Sequence, residues 1–143
     1  EIIIISVLTP HIVRKKLFLI INLNFMPNQN FTDPKDFLNQ TVTVTIDRPL
    51  NSKHDKFDMI YEVNYGFIPN TVAPDGEELD AYILGVKKPL EQFTGKCIAI
   101  IHRINDDDDK LIVVPEKLEI SDEEIQKQTN FQEKWFKSII IRK

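Results

Sequence analysis

Thr41–Ile46 reads TVTVTI, β-branched at every position and alternating in polarity. β-Branched side chains fit a pleated surface, and strict alternation gives one face to a core and one to water. A strand is therefore expected there, and the rest of the chain must supply its partners. Ile60–Ile68 (IYEVNYGFI) is aromatic and β-rich around Gly66, which marks a bulge or a close backbone approach. Leu79–Val86, Gly95–Arg103 and Leu111–Val114 read as further strands. Pro49-Leu50-Asn51-Ser52 and Pro74-Asp75-Gly76 are turns. The polar stretch before Thr41, with Pro27 and Pro34, suits a leader or a short helix. Ser121-x-x-Glu124 is a capping box that opens a helix running to about Phe136, with Ile125, Phe131, Trp135 and Phe136 on one packed face. About five short strands and one helix predict a mainly β (α+β) domain, a small β-barrel with a C-terminal helix.

Composition limits what such a barrel does. The 143-residue chain carries a formal charge of −4 with 42% hydrophobic residues, so it suits one globular domain. The acidic balance argues against nucleic acid as the main partner. Cys97 is the only cysteine, which excludes an intramolecular disulfide or a cysteine-based cluster and suits a reducing cytoplasm. Residues 1–25 differ from the rest: they are Ile-rich and contain no Gly, Ala or Asp. Three readings compete for this segment. It is a targeting segment, although its apolar run after Arg14-Lys15-Lys16 is far below the ~20 residues of a membrane span. It is an extra strand or oligomer contact. Or it is read-through of upstream sequence before a start at Met26, the favoured reading because AT-rich non-coding DNA encodes such a composition. The domain is accordingly assigned to residues 26–143, with no membrane segment.

The chemically informative feature is acid gathered at turns. Asp75-Gly76-Glu77-Glu78-Leu79-Asp80 leads into one strand, and Asp106-Asp107-Asp108-Asp109-Lys110 joins two others. Carboxylates repel, so such a gathering calls for a counter-charge; a hard divalent cation with oxygen ligands at ~2.1 Å supplies it. A solvated acidic loop is the plainer reading of the Asp run alone. Arg48, Lys53, Lys56, Lys110, Tyr61 and Tyr65 suit an anion. Nucleophile motifs are missing: there is no GxSxG, HExxH, P-loop or GxGxxG. Cys97 sits in an apolar strand as a small core residue, His102 reads as structural, and His54 is a weak supporting candidate.

Taken together, TVTVTIDRPLNSK, YEVNYGFIPNTVAPDGEELDAYILG, TGKCIAIIHRINDDDDKLIVVP and EEIQKQTNFQEKWF resemble the soluble (family I) inorganic pyrophosphatases, in a short form lacking part of an N-terminal hairpin. The resemblance covers about Val42 to Phe136 and implies an OB-like barrel. It implies Asp75 and Asp80 as metal ligands, with Glu77 where the family normally places an Asp that serves as general base. Asp108 is implied as a further metal ligand and Lys110 as a phosphate binder. Asp106 best matches the remaining loop acid, with Asp107 or Asn105 as alternatives. Tyr65 matches a phosphate-side tyrosine, Asp47 the acid of an I-E-I-P stretch, and Lys56 the lysine of a K-Y-E stretch. Arg48 or Lys53 stands in for the arginine of the missing hairpin. The helix Tyr-Lys pair reads Trp135-Phe136, with Lys137 one residue late.

The implied activity is Mg²⁺-dependent hydrolysis of inorganic pyrophosphate to two phosphates, with two or more Mg²⁺ ions, in a cytoplasmic homo-oligomer. Two rivals remain: a phosphohydrolase acting on another diphosphate, and a degenerate barrel that binds metal or phosphate without turnover.

Overall fold

The computed structural model describes residues 30–106 and 108–143; the segment 1–25 discussed above lies outside them. The elements run in order: a 3-10 turn Pro34–Phe37, β1 Thr41–Arg48, β2 Asn64–Ile68, β3 Leu79–Ile83, β4 Gln92–Arg103, β5 Lys110–Val114, α1 Asp122–Glu133 and β6 Ser138–Ile141. Strands β1, β2, β3, β5 and β4 pair in that order, and β1 pairs back onto β4, closing a five-stranded barrel. All of these pairings are antiparallel except β3 with β5, which is parallel. The twelve-residue β4 serves two neighbours along one edge: Gln92–Lys96 pairs with β1, and Ile100–Arg103 pairs with β6.

Side-chain alternation divides the core in two. Val42, Val44, Ile46, Leu79, Ala81, Ile83, Leu111 and Val113 point inward and fill the barrel. On the opposite faces, Tyr65, Tyr82, Leu84, Ile101, Ile112 and Val114 pack against Ile125 and Phe131 of α1. β3 and β5 are thus buried on both faces, which explains their continuous apolar runs, whereas β1 alternates because its outer face meets water. Gly66 is required by closure: a Cβ there would lie 1.9 Å from the Thr45 carbonyl oxygen, beside a bulge between Ile46 and Arg48.

Three expectations need correction. The Ile60–Ile68 strand begins only at Asn64, because residues before it form a loop tied by a single Lys53–Ile60 bridge. The helix starts as expected, with Ser121 Oγ accepting from the Glu124 N–H at 3.2 Å, but stops at Glu133. Trp135 therefore leaves the packed face and is 72% exposed. A sixth strand, Ser138–Ile141, follows α1; it is a four-residue edge strand held by backbone pairing, with side chains only partly covered.

Asn64 marks the start of β2 by tying three segments together. Its Oδ1 accepts from the N–H groups of Leu50 (2.9 Å) and Leu90 (3.0 Å), while its Nδ2 donates to the Lys88 carbonyl (2.9 Å). The side chain is fully buried. Asn64→Ala strands three backbone groups at about 1 kcal/mol each, so urea denaturation should show a loss of about 3 kcal/mol.

Candidate active site

The parallel register sets Asp80, second in β3, opposite Lys110, first in β5. Parallel neighbours share their starting end, so the Ala73–Glu78 turn and the acidic loop before Lys110 meet at one end of the barrel. Antiparallel β4 ends there too and delivers Arg103. The Ala73–Glu78 turn is shaped locally: the Asp75 Oδ1 accepts from the Glu77 N–H at 2.9 Å, and Gly76 takes φ +87°.

Lys110 Nζ lies 2.7 Å from Asp80 Oδ2 and 2.9 Å from Asp108 Oδ2, with its side chain 2% exposed. Burial works against its charge, but the Asp80 and Asp108 carboxylates override this and hold the ammonium above its ordinary range. Arg103 lies beside it. Its Nη2 and Nε donate to Glu133 of α1 at 2.6 and 3.0 Å, and Asp106 and Asp108 both lie 3.5 Å from its Nη1. The guanidinium also stacks 3.6 Å over the Phe136 ring. Tyr82 donates to Glu133 at 2.6 Å, so barrel and helix join through one buried network. Among the described residues, four carboxylates (Asp80, Asp106, Asp108 and Glu133) face these two cations.

Asp106 and Asp108 of the acidic loop are thus drawn to Arg103 and Lys110 rather than facing water alone. Asp109 is turned aside to His102, at 2.8 Å, which accords with a structural role for that histidine. Cys97 is buried and desolvation pushes its thiol up to about 11, which suits a small packing residue.

A cavity of about 750 Å³ opens above this ionic floor. Asp47, Arg48, Tyr65, Asp80, Asp108 and Lys110 all line it. Lys56, Asp75, Glu77 and Asp106 are not among the described residues on its wall, although Asp106 joins through Arg103. Glu77 is 4% exposed within the turn. Of the two candidates for the missing arginine, Arg48 lines the cavity, held by Asp55 at 2.8 Å, whereas Lys53 is exposed and lies 3.7 Å from Asp58. Tyr65 keeps its proton, because burial and then the Asp80 charge raise its pKa well above the usual value. Burial and then the Arg48 charge lower the His54 pKa below its ordinary value.

Sequence reasoning missed Arg103, Tyr82 and Glu133. The available signal was a carboxylate at Glu133, four residues after Thr129 and eight after Ile125, on the buried stripe of α1.

The donor set can be tested against a divalent cation. Asp80 and Asp108 converge on one point and offer only oxygens, and carboxylates exceed cations at the floor. No group of three or more His, Cys, Asp or Glu among the described residues forms a cage. Mg²⁺ does not require one, since it binds through one or two carboxylates plus waters and substrate phosphates. The residues therefore fit.

Fold and floor together define a small OB-like barrel with an ionic site on its outer face. The chain belongs to the inorganic pyrophosphatase family, whose model matches residues 35–141. It is 31% identical to the inorganic pyrophosphatase of Rickettsia typhi over 62% of each chain, and 29% identical to that of Rickettsia prowazekii over 71% of this chain and 72% of the relative. A 34% match to the Pseudomonas aeruginosa enzyme covers 50% of this chain and 44% of the relative. The chain thus spans 62% and 44% of the length of the Rickettsia typhi and Pseudomonas aeruginosa relatives. The inorganic pyrophosphatase structures from Ehrlichia chaffeensis (21% identity, TM-score 0.55, 78% of this chain and 88% of that one) and Helicobacter pylori (16%, 0.56, 81% and 90%) share the fold.

The network carries a stability prediction. Glu133→Ala leaves a buried guanidinium without its main partner, so urea denaturation should show a loss of about 3–5 kcal/mol. Lys110 gains its partners on folding. Its contribution is full below its ordinary value of 10.5 and drains as pH rises through the higher folded value, so stability should fall above that pH. Lys110→Met should flatten that fall.

Proposed function

We propose that this chain hydrolyses inorganic pyrophosphate to two phosphates with Mg²⁺ as cofactor. The observation that carries the reading is the convergence of Asp80 and Asp108 on Lys110 at the floor of the cavity, in a member of this family.

Pyrophosphate is highly charged, and repulsion toward an incoming oxygen nucleophile dominates its barrier. Asp80 and Asp108, with Asp75 and Asp106 as the flanking acids, would hold the cation. When bound, Mg²⁺ neutralises the substrate and lowers the pKa of attacking water. Lys110 and Arg48 bind phosphate oxygens by charge, and Tyr65, kept as the phenol, donates to them. Asp47 lines the same wall, and Lys56, off the wall, adds positive charge on the segment that carries His54 and Phe57. The family position implies Glu77 as proton acceptor; it lies buried in the turn that leads into Asp80, off the cavity wall, so this role requires the turn to open toward the floor. No covalent intermediate is needed.

We further infer a cytoplasmic homo-oligomer. The family resemblance and the single buried thiol of Cys97 support this. No helix among the described residues is long and apolar enough to cross a membrane.

One observation favours a second reading, a barrel that binds metal or phosphate without turnover: Lys110 and Arg103 already pair with the acids that would hold the cation. Phosphate release from pyrophosphate by the full chain separates the two. The hydrolytic reading expects Mg²⁺-dependent turnover that chelation removes and that Asp80→Asn or Lys110→Ala lowers about 10²–10³-fold. Binding of Mg²⁺ and pyrophosphate without phosphate release contradicts it. Glu77→Asp should then show whether the site is detuned, by a large gain in rate.

A further inference from the structure

We propose that the cavity takes a nucleoside triphosphate, with its base on an aromatic wall and its phosphates at the ionic floor. This rests on the phosphate-hydrolysis reading of the floor and extends it to the rest of the cavity.

Inorganic pyrophosphate contains no carbon and presents only oxygens. It gives no use to apolar walls, and it is small for a cavity of about 750 Å³, a volume within the ~300–1,000 Å³ of sites for drug-sized ligands. The wall here is aromatic. Phe57, 59% exposed, lies 4.9 Å from His54 between ring centroids. His54 stacks on Tyr61 at 6.1 Å and 12°, and Tyr61 meets Tyr65 at 5.6 Å. Tyr65 lies 5.7 Å from Lys110 Nζ. The rings thus form a continuous track from a solvent-exposed end to the ammonium that joins Asp80 and Asp108. Trp135, 72% exposed, lines the same cavity from the segment after α1.

Two exposed aromatics on the lining of a charged cavity suit a planar partner that stacks, and the order of groups along the track matches a ligand with a heterocycle at one end and a polyphosphate at the other. His54 adds a flat ring surface; its Nδ1 accepts from the Lys56 and Phe57 N–H groups at 3.0 and 3.2 Å, which fixes the ring in place. In the corresponding reaction, water attacks the terminal phosphorus and the bond to the bridging oxygen breaks. The nucleoside diphosphate leaves with that oxygen, and phosphate and a proton are released.

Trp135 is the only tryptophan, so its fluorescence reports on this cavity. The full chain is titrated in Mg²⁺ with ATP and with inorganic tripolyphosphate, which has the same phosphate chain and no nucleoside. We expect ATP to quench Trp135 and to bind at least about tenfold more tightly, and Phe57→Ala to lower that ratio about tenfold. Equal affinities, or a ratio unchanged in Phe57→Ala, overturn the proposal. Phosphate release from pyrophosphate is measured on the same preparation. Turnover of pyrophosphate with no nucleoside preference sinks only this inference. A clear nucleoside preference with no phosphate release from pyrophosphate or ATP supports the binding site and sinks the hydrolytic reading.

Discussion

The parallel pairing of β3 with β5 is the constraint on which the rest depends. In an all-antiparallel meander, β4 would lie between β3 and β5 and keep the turn before β3 about two strand spacings from the loop before β5. Here both strands start at the same end, and Asp80 and Lys110 become direct neighbours. Because the same two strands are buried on both faces, their relative position is fixed by packing from either side. A shift of one residue would turn Asp80 and Lys110 into the apolar barrel interior and their apolar neighbours outward, so register and site are specified together.

That arrangement places charge where charge is expensive. Lys110 and Arg103 are almost entirely buried, and each is retained only because carboxylates surround it. The network also joins the two layers of the molecule: Glu133 comes from α1, Tyr82 from β3 and Arg103 from β4. The helix therefore does more than cover apolar surface, since its last turn supplies the carboxylate that holds the barrel's arginine. Excess carboxylate on the floor suits a cation, while Arg48, Lys110 and Tyr65 face the same cavity as groups that suit an anion.

Much of this was legible from local pattern. The alternation of Thr41–Ile46, the Gly66 close approach, the Ser121 cap and the buried Cys97 all follow from single-segment chemistry. The family resemblance names Asp80, Asp108, Lys110 and Tyr65, and all four line one cavity. What escaped was non-local. Trp135 looks like core by composition, but the chain leaves the helix at Glu133 and directs it to solvent. The edge strand Ser138–Ile141 is too short to signal itself and exists through backbone pairing to β4. The Arg103–Glu133 pair joins residues thirty positions apart, and neither carries a local sign of its partner. Asp109 belongs to the same run as Asp108, yet His102 draws it away, a distinction that composition does not contain.

In the proposed reading, the β3–β5 register brings Asp80 and Asp108 together as one cation-binding point. Calorimetric titration of Mg²⁺ into the full chain, beside Asp80→Asn and Asp108→Asn with folding checked by circular dichroism, tests it most directly. The full chain is expected to bind Mg²⁺, and either substitution to weaken binding at least about tenfold, or about 1.4 kcal/mol. Unchanged Mg²⁺ affinity in both folded variants would contradict it.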